Sequence, residues 1–86
     1  MDNTRQKYVR LQGSDIFIFF PEVMEHSRFK NFNPISAGFC YIRDKKVDCF
    51  GESFSLGLKC HEDDTKLATK QIFGFDAMLE LEKDKA

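Results

Sequence analysis

The chain has 86 residues, 42% hydrophobic and 31% charged, a composition that fits one small globular domain and argues against disorder. Thirteen basic and fourteen acidic side chains leave a net charge of −1, so no bulk field draws it to nucleic acid or to an anionic membrane. The longest apolar run, Ile16–Pro21, is too short to span a bilayer, and Met1–Lys7 lacks the apolar core of a secretory signal.

Three cysteines, Cys40, Cys49 and Cys60, form no dense disulfide pattern, and a cytoplasmic setting is expected. Ten phenylalanines and no tryptophan stand out. A chain of this length buries only about 60–65% of its unfolded surface. So thin a core cannot enclose every ring, and some are expected at an interface.

A single domain is expected over 8–82, with 1–7 and 83–86 as loose, polar ends. Tyr8, Val9 and Leu11 begin a first strand, closed by the turn formers Gly13-Ser14-Asp15. Ile16–Phe20 follows as a second strand, apolar on both faces and therefore expected at the centre of the sheet. Pro21 suits the first turn of a helix, with Glu22 and Glu25 near its positive end, and that helix is expected to run to Asn31. Asn33-Pro34 ends it.

Ser36–Arg43 and Val47–Ser53 read as a hairpin around Asp44-Lys45. A two-residue turn pairs Arg43 with Lys46, Ile42 with Val47 and Cys40 with Cys49. Cys40, Ile42, Val47 and Cys49 then share one face, with Phe39, Tyr41, Phe50 and, further on, Phe54 on the other. Phe54–Cys60 continues the strand or bends at Gly57. Glu62, Asp63 and Asp64 open a second helix that stops at Gly74. Phe75–Leu81 alternates as a strand does yet is rich in helix formers, and a strand is the favoured reading. The order is ββαβββα plus this last element. That is an α+β domain: an antiparallel sheet of four to five strands with two short helices.

Four groups of residues bear on chemistry. Cys40, Cys49, Cys60, His26 and His61 are zinc-ligand types without zinc spacing, and buried cysteine usually acts as a small hydrophobe. No metal or cofactor is expected. Ser53 lies in Gly51-Glu52-Ser53-Phe54-Ser55, which lacks the second glycine of a nucleophile elbow. His61 as base and Asp63 as its orienter would complete a minor hydrolase, held as a remote alternative. The acids Glu62, Asp63 and Asp64 read as a helix start rather than a cation loop.

Arg28, Lys30, Arg43, Lys45 and Lys46, interleaved with Phe39 and Tyr41, form the best nucleic-acid or ligand contact available, diluted by Asp44 and Asp48. The leading expectation is a non-enzymatic binding module, homodimeric through Phe39, Tyr41, Phe50 and Phe54. A nucleic-acid accessory protein working through the basic hairpin tip is the alternative.

Overall fold

In the computed structural model, residues 5–13 and 15–83 are described. Four antiparallel strands form the main sheet in the order β2-β1-β3-β4, with β1 Gln6–Leu11, β2 Phe17–Pro21, β3 Pro34–Arg43 and β4 Lys46–Phe50. A 3₁₀ helix, His26–Phe32, joins β2 to β3. A two-stranded sheet, β5 Glu52–Ser53 and β6 Leu58–Lys59, follows β4. Two helices end the chain, α1 Asp64–Phe73 and α2 Phe75–Lys83. The fold is α+β, and no helix among the described residues is long and apolar enough to cross a membrane.

Strand alternation divides the core in two. On one face Tyr8, Phe17, Cys40 and Val47 pack with Ala68 of α1. On the other Val9, Phe20 and Ala37 are covered by Met24, Phe29, Leu56 and Leu58, from the 3₁₀ segment and the β5–β6 hairpin. That cover lies over β2, β1 and the Ala37 end of β3, with β5 and β6 packed against β3. The outer part of β3 and β4 keeps its aromatic side chains partly exposed.

The hairpin register is the expected one, with Cys40 opposite Cys49 and Arg43 opposite Lys46. Asp44 and Lys45 both take positive φ, 49° and 61°, as a two-residue turn between right-twisted strands requires. The second helix also starts and stops as its acids and Gly74 indicate.

Other expectations are corrected. β1 begins at Gln6, so Gln6 and Lys7 belong to the sheet; residues 1–4, Ser14 and 84–86 of the expected loose ends and first turn lie outside the described residues. β2 is an edge strand, not a central one; it is apolar on both sides because layers cover the sheet above and below it. Pro21 closes β2 opposite Gln6 instead of opening a helix, since an outer strand tolerates the missing N–H.

The helix expected over Pro21–Asn31 is a turn followed by the 3₁₀ helix. Its start at Glu25 has no side-chain cap, and Val23, which an amphipathic helix would bury, is 87% exposed. β3 starts at Pro34, and β4 stops at Phe50, where Gly51 turns the chain at φ 79°.

Phe75–Leu81 is helix, not strand. A strand there needs a ladder to join, and α1 already occupies β4's outer edge. Thr69 Oγ1 accepts the Val47 N–H at 2.9 Å and Thr65 Oγ1 accepts the Cys49 N–H at 2.8 Å. At the opposite edge Gln71 brackets Phe17, its Oε1 accepting the N–H at 2.7 Å and its Nε2 donating to the carbonyl at 2.9 Å. One helix thus reaches both outer strands.

The start of α1 is fixed by Asp64, whose carboxylate is sealed from water. It accepts from the Tyr8 hydroxyl at 2.6 Å, from Arg10 Nη1 at 2.9 Å and from the His61 N–H at 3.0 Å. Removing that acceptor strands the buried Tyr8 hydroxyl, while Arg10 keeps its bonds to Asp15 and Asp63. Asp64→Ala is expected to cost about 1–3 kcal/mol, the range for leaving a buried donor without its acceptor. Urea unfolding measures it, and a loss under about 1 kcal/mol contradicts this account of the helix anchor.

Candidate interaction surface

β3 and β4 bring Phe39, Phe50 and Tyr41 together on the open part of the sheet. Phe50 stacks between the other two, with centroids 6.2 Å from Phe39 and 5.6 Å from Tyr41 and interplanar angles of 29° and 19°. Cations close both ends of the row. The Arg5 guanidinium lies 4.6 Å from the Phe39 centroid and that of Arg43 lies 5.5 Å from Tyr41. Arg5 is itself paired with Glu22.

The fourth expected residue, Phe54, is not in the row. It projects from the β5–β6 turn, 90% exposed, and borders a cleft of about 300 Å³ that Phe39 and His26 also line.

Two glycines shape this surface. A Cβ on Gly38 would collide with the Phe50 carbonyl oxygen, and one on Gly51 would come within 3.1 Å of the Phe39 ring. The chain therefore folds tightly over the end of β3 only because both positions are bare. Gly38 pairs with Tyr8 of β1, and its carbonyl also accepts from His26 Nε2–H at 2.8 Å. His26 is also held edge-on between Phe20 and Phe39, at 5.5 and 5.7 Å.

The five expected basic residues do not form one patch. Arg28 and Lys30 belong to the 3₁₀ helix. Arg43 and Lys46 pair across the hairpin on the aromatic face, while Lys45 turns into a separate cleft with Phe73, Asp76 and Glu80. The stacked row is also poorly suited to nucleobases, because its ring faces already lie against one another or under guanidinium groups. Base stacking needs an open face.

Residues missed in the sequence are Arg5, Lys7 and Arg10. Their signal was alternation: Arg5, Lys7 and Val9 fall on the aromatic face, and Tyr8 and Arg10 on the other. Lys7 Nζ donates to the Met24 carbonyl at 2.8 Å and faces Glu25 at 3.9 Å.

The catalytic and metal candidates are distributed over separate parts of the fold. Ser53 is buried, and its hydroxyl accepts the Leu56 N–H at 3.3 Å and meets Ser55 Oγ at 3.3 Å. His61 lines a different cleft, with Cys60 and Asp63. Cys40 and Cys49 lie side by side under α1 as thiols; burial pushes Cys40 up to about 12 and Cys49 higher still.

His61, Asp63 and Asp64 place ligand-type atoms within 4.8 Å of one another. Arg10 already bonds both carboxylates at 2.9 Å, and its other nitrogens bond Asp15 at 2.7 and 3.1 Å. Burial pulls Asp63 upward, but the Arg10 bond outweighs it and holds that carboxyl below its ordinary range. The cation of this node is a guanidinium.

His26 gives the surface a pH signature. Burial, aided by the Lys7 charge, lowers its pKa from 6.5 against the opposing Gly38 bond and Glu25. A depressed folded-state pKa means the unfolded chain binds the proton more readily. The contribution is full above pH 6.5 and is lost as pH falls through the lower folded value. Unfolding free energy is expected to decline between pH 7 and 5.5, and His26→Gln is expected to flatten that decline. An equal slope in both proteins contradicts it. Among known proteins, no family model, no curated sequence and no solved structure matches this chain, so its surface chemistry carries the functional reading.

Proposed function

We propose that this domain is a non-enzymatic interaction module that pairs with a second copy of itself through the aromatic face, in the cytoplasm. The observation that carries the reading is the contrast between edges and face. Thr65 and Thr69 occupy the outer N–H groups of β4, and Gln71 and Pro21 blunt β2. Strand addition, the usual route for sheet partners, is therefore obstructed at both ends. The row Phe39–Phe50–Tyr41 stays open, with Phe50 37% exposed.

Size supports the same reading. The molecule is a slab of 35 × 31 × 18 Å, and its broad side is large enough for the about 800 Å² per partner that stable interfaces bury. A two-fold pairing lets one patch serve both copies. The cytoplasmic setting is supported by the adjacent thiols Cys40 and Cys49, which suit a reducing compartment.

Sedimentation equilibrium at micromolar concentration is the test. The wild-type chain is expected at twice its 10.0 kDa mass. Phe50→Glu is expected at one chain, because a carboxylate placed mid-row would be desolvated on pairing. A wild-type mass of one chain overturns the proposal, and a dimer indifferent to Phe50→Glu moves the interface elsewhere.

A further inference from the structure

Phe54 is the most exposed large apolar side chain among the described residues, and its backbone is firmly held. The Gly57 N–H donates to the Ser53 carbonyl at 2.9 Å, the Leu56 N–H to Ser53 Oγ at 3.3 Å, and the Cys60 N–H to the Gly51 carbonyl at 2.9 Å. Gly57 takes φ 67°, which closes the turn. Leu56 and Leu58 on either side of that glycine pack onto the core cluster of Val9, Phe20 and Ala37. The turn is thus anchored from below while its one aromatic ring points to solvent. A ring on a pre-ordered turn loses little freedom on binding, the property of an interface anchor.

Beside this ring is the cleft of about 300 Å³ lined by Lys7, Glu25, His26, Phe39 and Glu52, with Phe54 as one wall. It is large enough for a phenyl ring, and the edge of Phe39 together with the His26 ring offers it an aromatic lining. A projection and a recess side by side on one surface are complementary to the same surface turned by a two-fold axis. A contact made that way closes on itself and leaves neither ring exposed.

We infer that the second copy is held by reciprocal exchange of Phe54, each ring entering the partner's cleft beside Phe39. This rests on the self-pairing proposed above. The two rings flank the axis, each a wall of its own cleft and the filling of the other. The row Phe39–Phe50–Tyr41 extends the contact towards the hairpin tip, on a broad side that offers the area a stable dimer needs.

Two variants and their mixture test the exchange by sedimentation. Phe54→Ser removes the projection, and its thermal midpoint at a concentration where the chain is monomeric is expected to match wild type, since the ring makes no core contact. Its dimer dissociation constant is expected to rise about 30-fold or more, the loss typical of an interface anchor. Ser55→Trp, at an exposed position lining the cleft, blocks the recess and is expected to weaken pairing similarly. An equimolar mixture of the two restores one of the two exchanges and is expected to form a heterodimer tighter than either homodimer.

Unchanged pairing in Phe54→Ser, with dissociation in Phe50→Glu, overturns the exchange and leaves the aromatic-face reading standing. Weakening in both single variants without recovery in the mixture also overturns it. A wild-type chain that is monomeric overturns both readings.

Discussion

Asp64 is a carboxylate closed off from water, and such a group is tolerated only when its oxygens are fully engaged. Tyr8 and Arg10, on the same side of β1, engage it at 2.6 and 2.9 Å. Burial and the bond to Asp64 drive the Tyr8 hydroxyl far above its ordinary range, so it stays a donor throughout the accessible pH range. The first residue of α1 is thereby locked to the central strands. From that point the helix has a defined phase, and Thr65, Thr69 and Gln71 fall where the outer backbone groups of β4 and β2 need partners. An ion pair at one helix end thus decides the state of both sheet edges.

With both edges closed, the surface left open is a face. The helix side of the sheet is filled, and the far side is covered over β2, β1 and the first part of β3. What remains is a row of three stacked rings whose packing depends on two missing Cβ atoms, at Gly38 and Gly51. His26 ties the 3₁₀ helix to β3 by donating to the Gly38 carbonyl. The histidine that bonds β3 also walls the cleft beside Phe54.

Where the sequence was readable, the reason was local. Asp44-Lys45 specifies a two-residue turn, and a two-residue turn fixes the register for the whole hairpin, which placed Cys40 opposite Cys49 and Phe39, Tyr41 and Phe50 on one side. Gly74 and the preceding acids bounded α1 in the same way. Failures came from long-range constraints. Phe75–Leu81 alternates well enough for a strand, and only the occupation of β4's edge by Thr65 and Thr69 of the preceding helix removes that option. Pro21 carries a helix-start signature that loses to pairing with Gln6. Arg10 bonds residues more than 50 positions away, and no spacing rule connects it to Asp63 and Asp64.

The central claim is that this sheet associates by its aromatic face because α1 has closed its edges. Amide chemical shifts followed by NMR over a concentration series spanning monomer and dimer test it most directly. The account predicts that shifts move with concentration at Phe39, Tyr41, Phe50 and residues 52–55. The amides of Phe17, Val47 and Cys49, each bonded to a side chain of α1, are predicted to stay fixed. Movement at those three amides, with the aromatic row unchanged, would mean that copies meet edge to edge and would contradict the account.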